Sequence, residues 1–181
     1  MNGLKEWATV VRALEAGDQT VLLRKGGILD VASGFFIESK KFFLFPTFEH
    51  QSLGNLKPMF HNYLGLAMSA KPPEGQNRIS SYAEVLAEAD VSSEEKLNDL
   101  SEFHIWSDSY IKTRVEWMPD KPIKAVFLKT YGIAEFDIPL KPEYQGCKSW
   151  IEINAKLGSG RPAMSDTELD AKLAKFLEIV N

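Results

Sequence analysis

The chain has 181 residues, of which 44% are hydrophobic and 25% are charged, and these are ordinary proportions for a globular protein. Its formal net charge of -4 excludes a strong overall positive field, so a site for an anion must be a local cluster of cations. No apolar run approaches the roughly 18 residues needed to span a bilayer, and the single cysteine allows no intrachain disulfide, so we expect a cytoplasmic protein with no membrane partner.

The first half of the chain is predicted to hold two helices and three strands. Apolar residues recur at helical spacing over residues 4–14, and Gly17 follows as a stop, so an amphipathic helix is predicted there. Residues 56–68 are predicted to form a second, apolar helix with Pro58 in its first turn. Between the helices, β-prone runs separated by glycines or by a polar turn predict three strands, near 19–24, 34–38 and 42–46.

The second half is predicted to contain three more helices and three more strands. Each helix begins at a serine whose hydroxyl can accept a hydrogen bond from the backbone of the first turn, namely Ser92, Ser107 and Ser165. Apolar or alternating β-prone runs predict strands at 78–91, 125–133 and 149–153. The first of these runs also has apolar residues at helical spacing, and a strand is the preferred interpretation.

These elements predict an α+β fold with an N-terminal helix, an antiparallel strand meander, further helix and strand elements, and a C-terminal helix. A single domain over residues 1–181 is expected. The loop KPPEGQN at 71–77 is the candidate break between two subdomains, although its length is also common for a connector.

Four segments together resemble a bacterial and archaeal family catalogued as "domain of unknown function 1802". They are LLRKGGI at 22–28, FLFPTFEHQ at 43–51, FHIWSDSYIKTRVEW at 103–117 and YQGCKSW at 144–150. The resemblance brings no activity, cofactor or partner with it. It implies that the four segments belong to one unit, which makes their chemistry worth weighing together.

The run LLRKGGI places Arg24 and Lys25 directly before Gly26 and Gly27. Glycine lets the backbone approach a ligand closely, while Arg24 would add a planar fork suited to phosphate and Lys25 a mobile positive charge. The pattern lacks the spacing of a P-loop and of the GxGxxG fingerprint. A hairpin turn with solvated cations explains the same residues, so both interpretations stay open.

FPTFEHQ places several polar side chains after an apolar strand, at a position where proteins often present site residues. His50 is the side chain of this run that titrates near neutral pH, and Thr47 is a second candidate ligand. The alternative interpretation is a helix cap, in which Thr47 or Ser52 satisfies backbone amides of the following helix.

The segment SDSYIKTRVEW places Tyr110, Arg114 and Trp117 on one face of a predicted helix, at spacings of four and three. Two aromatic rings and a guanidinium could stack on a base or another planar ligand. The alternative is that the rings are core contacts and that Arg114 pairs with a carboxylate.

Cys147 lies between Gly146 and Lys148, which would leave its thiol accessible and favour the thiolate. A lone cysteine is more often structural than nucleophilic, and the order of histidines before cysteine differs from that of papain-like enzymes.

A metal-dependent nuclease is the second class of function that the residues suggest. Asp30, Glu38 and Lys40 match the bare spacing of the PD-(D/E)xK phosphodiesterases, which use Mg²⁺. In that family the ExK motif lies on the third strand, whereas here it follows the second predicted strand. The pattern is weak in a chain with 25 acidic residues.

The preferred hypothesis is a domain that binds a phosphate-bearing ligand or nucleic acid, with no cofactor or metal and with the oligomeric state left open. The candidate ligand-binding residues are Arg24, Lys25, Gly26, Gly27, Thr47, His50, Arg114, Trp117 and Trp150. The candidate catalytic residues are His50, Asp30, Glu38 and Lys40. The alternatives are the metal-dependent phosphodiesterase and a non-catalytic interaction or scaffold protein, in which the four segments would lie apart.

Overall fold

A computed structural model describes residues 1–25 and 34–181, and within these ranges five α-helices accompany a seven-stranded mixed sheet. The strands are β1 (Asn2–Trp7), β2 (Val21–Arg24), β3 (Lys41–Thr47), β4 (Gln76–Val91), β5 (Ile123–Pro139), β6 (Trp150–Glu152) and β7 (Arg161–Pro162). The helices are α1 (Ala8–Ala16), α2 (Asn62–Ser69), α3 (Glu94–Asp99), α4 (Asp108–Glu116) and α5 (Asp166–Val180). The predicted α+β class and C-terminal helix are confirmed.

The strands are ordered β2-β5-β4-β3-β1-β6 across the sheet, and β7 pairs with β5 outside this path. An antiparallel meander is present, but β3, β4 and β5 form it. The predicted strands near 19–24 and 42–46 exist as β2 and β3 but are not neighbours, and residues 34–38 form no strand. The two long strands β4 and β5 lie between β2 and β3 in the sheet. The sequence did not predict this order, because local alternation identifies a strand without identifying the strand that it pairs with.

The helix predicted over residues 4–14 begins four residues later than expected, because residues 2–7 form β1. Burial alternates from Leu4 to Trp7 with the period of two that is typical of a strand. β1 lies between β3, to which it is parallel, and β6, to which it is antiparallel. The spacing of Leu4, Trp7 and Val11 is compatible with a helix, but hydrogen bonds to two neighbouring strands make residues 2–7 a strand.

β4 and β5 are the longest strands, with 16 and 17 residues, and they pair along almost their whole length. The strand preferred for residues 78–91 is therefore confirmed, and the one predicted at 125–133 extends in both directions. The pairing shifts register between Ile79 and Ser81 and again between Val85 and Ala87. Such bulges bend a strand and increase its twist, which curls the sheet.

Each of the three helices predicted in the second half begins at a serine cap, and the predicted serine is the correct one in two of them. Ser107 accepts a hydrogen bond from the backbone of Tyr110, and Ser165 forms the predicted capping box with Glu168. For α3 the predicted cap is wrong by one residue, because Ser93 accepts from Lys96.

The apolar helix predicted over residues 56–68 is divided in two. A 3-10 helix at Pro58–Phe60 precedes α2, and the predicted position of Pro58 in the first turn is correct. The loop expected at 71–77 spans residues 71–75 and connects α2 to β4. In the described part of the chain, no helix has both the length and the apolar character that a membrane crossing requires.

The sheet is buried on both faces at β3. Phe42 and Leu44 belong to the larger apolar cluster, whereas Phe43 and Phe45 belong to a smaller one. Because successive side chains of a strand point to opposite faces, the two clusters lie on the two sides of the sheet. β3 and its neighbour β1 therefore run through the interior, and both end at the same edge. That edge carries the candidate site.

Candidate ligand-binding site

Glu6, near the end of β1, is a buried carboxylate, and it is 5% exposed. Its Oε2 accepts a hydrogen bond from Arg24 Nη1 at 3.0 Å, and its Oε1 accepts one from the backbone amide of Trp7 at 2.9 Å. A buried carboxylate is stable only when such partners replace water. Glu6 is consequently the centre of a hydrogen-bond network, and Arg24 is its charged partner.

Arg24 connects three parts of the chain through its guanidinium. Besides the ion pair with Glu6, Nη2 donates to Ser149 Oγ at 2.9 Å, and Nη1 lies 3.3 Å from the backbone oxygen of Lys5. The guanidinium carbon lies 5.0 Å from the ring centre of Phe35. These contacts hold the planar group in one orientation, so Arg24 is a positioned cation rather than a solvated one.

Thr47, at the end of β3, belongs to the same network. It lies opposite Trp7 in the parallel ladder, and its Oγ1 donates to the backbone oxygen of Glu6 at 3.1 Å. His50 is exposed in the following turn with a φ of 61°, and no hydrogen bond joins it to the network among the described residues. Histidine tolerates this left-handed conformation better than bulkier residues do. The structure thus connects Thr47, but not His50, to Arg24.

FPTFEHQ also supplies a cap for α1, through a residue that the sequence did not single out. Gln51 Oε1 accepts from the backbone amide of Thr9 at 2.9 Å and from the Thr9 hydroxyl. The predicted cap of the following helix is wrong, because Thr47 donates to Glu6 and Ser52 makes no side-chain cap hydrogen bond, whereas Gln51 binds the preceding helix, α1. The backbone amide of Thr9, in the first turn of α1, is thus satisfied by a protein group.

Replacing Gln51 by alanine is expected to destabilise the protein by about 1–3 kcal/mol, because the Thr9 hydroxyl is completely buried and would lose its acceptor. Urea unfolding of the two proteins measures this difference. Gln51→Glu, which keeps an acceptor oxygen at the same distance along the side chain, is the matched control and should lose less. An equal loss in both variants would contradict the capping role.

Lys25 and Arg114 bring the end of α4 to the same region. Lys25 is 4% exposed, and its Nζ donates at 2.7 Å to the carbonyl of Val115, in the last turn of α4, where carbonyls lack helical partners. Burial lowers the pKa of Lys25, and the nearby positive charge of Arg114 lowers it further. The Arg114 guanidinium lies 4.6 Å from the ring centre of Trp117, and no carboxylate pairs with it in the ranges described.

Lys5 ties the fourth segment, YQGCKSW, to β1. Its Nζ donates to the backbone oxygens of Tyr144 at 2.8 Å and of Gly146 at 2.7 Å. Burial lowers the pKa of Lys5, Glu49 and Cys147 act in the opposite direction, and Arg24 again lowers it. Lys5 and Arg24 are therefore close enough to repel each other.

Trp7, Trp106 and Tyr110 form a group of rings beside this network, and of these three only Tyr110 was anticipated. The ring centres of Trp106 and Tyr110 are 4.4 Å apart in a stacked arrangement, and Trp7 lies 5.1 Å from Trp106 and 6.1 Å from Tyr110. Burial raises the pKa of Tyr110; Glu6 contributes to the rise, whereas Arg114 and Arg24 oppose it. Tyr110 is thus within electrostatic range of both arginines.

The arrangement leaves positive charge in excess. Within residues 1–25 and 34–181, four cations meet here, Lys5, Arg24, Lys25 and Arg114, against two carboxylates, Glu6 and Glu49. Each lysine is partly buried or buried, and each has an arginine as a repelling neighbour. An anion bound at this surface would relieve that repulsion.

Trp150 is not open to a ligand, which corrects its prediction as a stacking surface. It is 9% exposed, it contacts Phe35 and Phe42 with ring centres 6.1 and 5.0 Å away, and its indole donates to the backbone oxygen of Phe36 at 3.0 Å. Trp150 is part of the core. Trp117 is covered on one face by Arg114.

The nuclease residues do not assemble in the part of the chain that the structure describes. Glu38 is exposed and on no strand, and Lys40 forms an exposed ion pair with Glu88 at 2.8 Å. Asp30 lies outside the described residues, as do Gly26 and Gly27. Within residues 1–25 and 34–181, no three His, Cys, Asp or Glu side chains cluster in a way that could hold a metal ion.

The residues that the sequence did not reveal are those of β1, Lys5, Glu6 and Trp7, together with Ser149. The sequence carries no signal for them, because Lys5 and Glu6 are adjacent charged residues and their alternating burial depends on the neighbouring strands. The four quoted segments themselves do meet, through the contacts of Arg24, Lys25, Thr47 and Lys5.

Comparison with known proteins gives a family but little more. Comparison with the curated proteins gives no match. A crystal structure of ASCH from Zymomonas mobilis is similar over 70% of this chain and 65% of that chain, with a TM-score of 0.38 and 14% sequence identity. Residues 3–175, nearly the whole chain, match the family described as "Domain of unknown function (DUF1802)". The chain therefore belongs to that family.

Proposed function

We propose that the protein binds a phosphate-bearing ligand, with single-stranded nucleic acid as the partner to test, at the edge where β1, β2, β3 and α4 meet. The observation that carries the proposal is the charge imbalance around Glu6, where, among the described residues, four cations face two carboxylates in a chain whose net charge is -4. Local excess charge against the sign of the whole protein is what a binding site for an anion requires.

The cations have different roles in this proposal. Arg114 has no carboxylate partner in the described residues and is the direct contact for a phosphate. Arg24 is held by Glu6 and Ser149 and supplies a fixed positive field. Lys25 is hydrogen-bonded to α4, so it contributes positive charge rather than a direct contact with the phosphate. Thr47 and the exposed His50 are retained as candidate hydrogen-bonding partners.

Replacing Arg114 by alanine is expected to weaken binding of a mixed-sequence single-stranded oligonucleotide and to flatten its salt dependence. Loss of one phosphate contact reduces the slope of log K against log salt concentration by about 0.7 for a single strand. Fluorescence anisotropy of a labelled oligonucleotide, measured across a salt series, gives both quantities. The removed charge repels Lys25, so the folded protein tolerates its loss.

Lys112→Ala is the matched control, because Lys112 lies two residues away on α4, is exposed, and carries the same charge. Its slope should equal that of the wild type. The proposal fails if wild type does not bind, or if the two variants have the same slope.

A further inference from the structure

We infer that Trp7, Trp106 and Tyr110 form a platform for the base of a nucleotide, so that the ligand is a nucleotide unit rather than a phosphate group alone. The inference rests on the function proposed above, because it assigns the neighbouring cations to the phosphate of the same ligand. We call these three side chains the aromatic platform.

The aromatic platform is continuous and lies at the surface edge of the larger core. Trp106 and Tyr110 are stacked with a 27° angle between their planes, and Trp7 meets Trp106 edge-on at 77°. Trp106 is buried, whereas Trp7 and Tyr110 are partly exposed. A ring held by its neighbours but open on one side can stack on a base without losing much conformational freedom of its own.

The polar edges of the platform have no hydrogen-bond partner among residues 1–25 and 34–181. In the described part of the chain, no hydrogen bond reaches the indole nitrogens of Trp7 and Trp106 or the hydroxyl of Tyr110. These atoms are not among the fully buried, unpartnered polar atoms, which belong to Thr20, Ser81, His104 and Thr130. Trp7 and Tyr110 are partly exposed, so the Trp7 indole N–H and the Tyr110 hydroxyl are the groups that we assign to the edge of a base.

The platform is next to the cations that would hold the phosphate. A small recess is lined by two rings of the platform, by two of the cations and by three aliphatic side chains: Trp106, Tyr110, Lys25, Arg114, Leu23, Ile111 and Ile123. Tyr110 also lies within electrostatic range of Arg24. A nucleotide presents a planar apolar base and an anionic phosphate on one small scaffold, which matches a platform flanked by cations.

Other aromatic residues of the site are less suited to stacking. Trp150 is enclosed by Phe35 and Phe42, and one face of Trp117 is covered by Arg114. Trp117 is consequently a control rather than part of the platform.

The decisive test compares a short thymidine oligonucleotide with an abasic oligonucleotide of equal length and phosphate number. Wild type is expected to bind the thymidine strand about tenfold or more tightly than the abasic strand, because stacking on an aromatic side chain has that effect for each base. Equal affinity for the two strands overturns the base platform and leaves the phosphate site standing. Failure to bind either strand overturns both.

The ratio of the two affinities locates the effect, and it is insensitive to a general loss of folded protein. Trp7→Ala and Tyr110→Ala should bring the ratio toward one, whereas Trp7→Phe and Trp117→Ala should keep it. If Trp7→Ala and Tyr110→Ala keep the wild-type ratio, the platform lies elsewhere and the inference fails. Competition by thymidine monophosphate against the bound oligonucleotide then identifies the kind of ligand. Full competition indicates that the site binds a single nucleotide, whereas weak competition indicates that it requires several linked nucleotides.

Discussion

Replacing Arg24 by alanine is expected to reduce the free energy of unfolding by about 3–5 kcal/mol, the range found when one partner of a buried ion pair is removed. The reason is Glu6, which is 5% exposed and would remain charged in the interior without its guanidinium partner. The Trp7 amide would be its remaining hydrogen-bond donor among the described residues. Urea unfolding monitored by tryptophan fluorescence measures the change.

Lys40→Ala provides the matched control, because it also removes a cation paired with a glutamate. The side chains of Lys40 and Glu88 are 67% and 34% exposed, and such a pair contributes less than about 1 kcal/mol. In the Arg24→Ala background, Glu6→Gln should recover part of the loss, since it removes the unpaired charge. Equal costs for Arg24→Ala and Lys40→Ala would show that Glu6 is not the buried centre of the network.

Acidification is expected to destabilise the protein through His104, which is 1% exposed. Burial lowers the pKa of His104 from 6.5 to about 3, and the nearby charge of Lys57 acts in the same direction. Below pH 6.5 the unfolded chain binds a proton at this histidine, whereas the folded chain binds it only near pH 3. Folded-state stability is therefore full above pH 6.5 and falls by about 1.4 kcal/mol per pH unit through that window.

The total loss from this group at pH 3 is on the order of 4–5 kcal/mol, comparable with the whole stability of a marginal domain. The informative comparison is wild type against His104→Asn, in which the amide oxygen can replace Nδ1 as the acceptor for the Trp106 backbone amide. Every other titrating group is common to both proteins. The difference between the free energies of unfolding of the two proteins should shrink as the pH falls from 7 to 4, because only wild type loses the contribution of His104. A difference that stays constant over this range would refute the role of His104.

Local chemistry predicted part of the fold well, where a few neighbouring residues decide the outcome. Ser107 and Ser165 begin helices as expected, and the apolar run at 125–133 is a strand. The errors are at positions decided by distant partners. Residues 2–7 become a strand because β3 and β6 lie on either side of them, and nothing within those residues announces that choice.

The candidate site follows the same division. The family resemblance indicated that LLRKGGI, FPTFEHQ, SDSYIKTRVEW and GCKSW belong together, and contacts of Arg24, Thr47 and Lys25 join them. Glu6 was not anticipated, because a single glutamate in a chain of 25 acidic residues carries no signal until its burial is known. The same holds for Trp150, whose burial removes it from the surface.

The position of β1 has a consequence for the order in which the protein folds. Gly3 pairs with Phe43 on one side and with Ile151 on the other, so this strand depends on contacts between residues far apart in the chain. Pairings of high contact order form slowly, because the entropy of closing large loops is lost before the contacts reward it. We therefore expect the surface around Glu6 to form late in folding, so that the proposed binding of a ligand there would report on chains that have completed it.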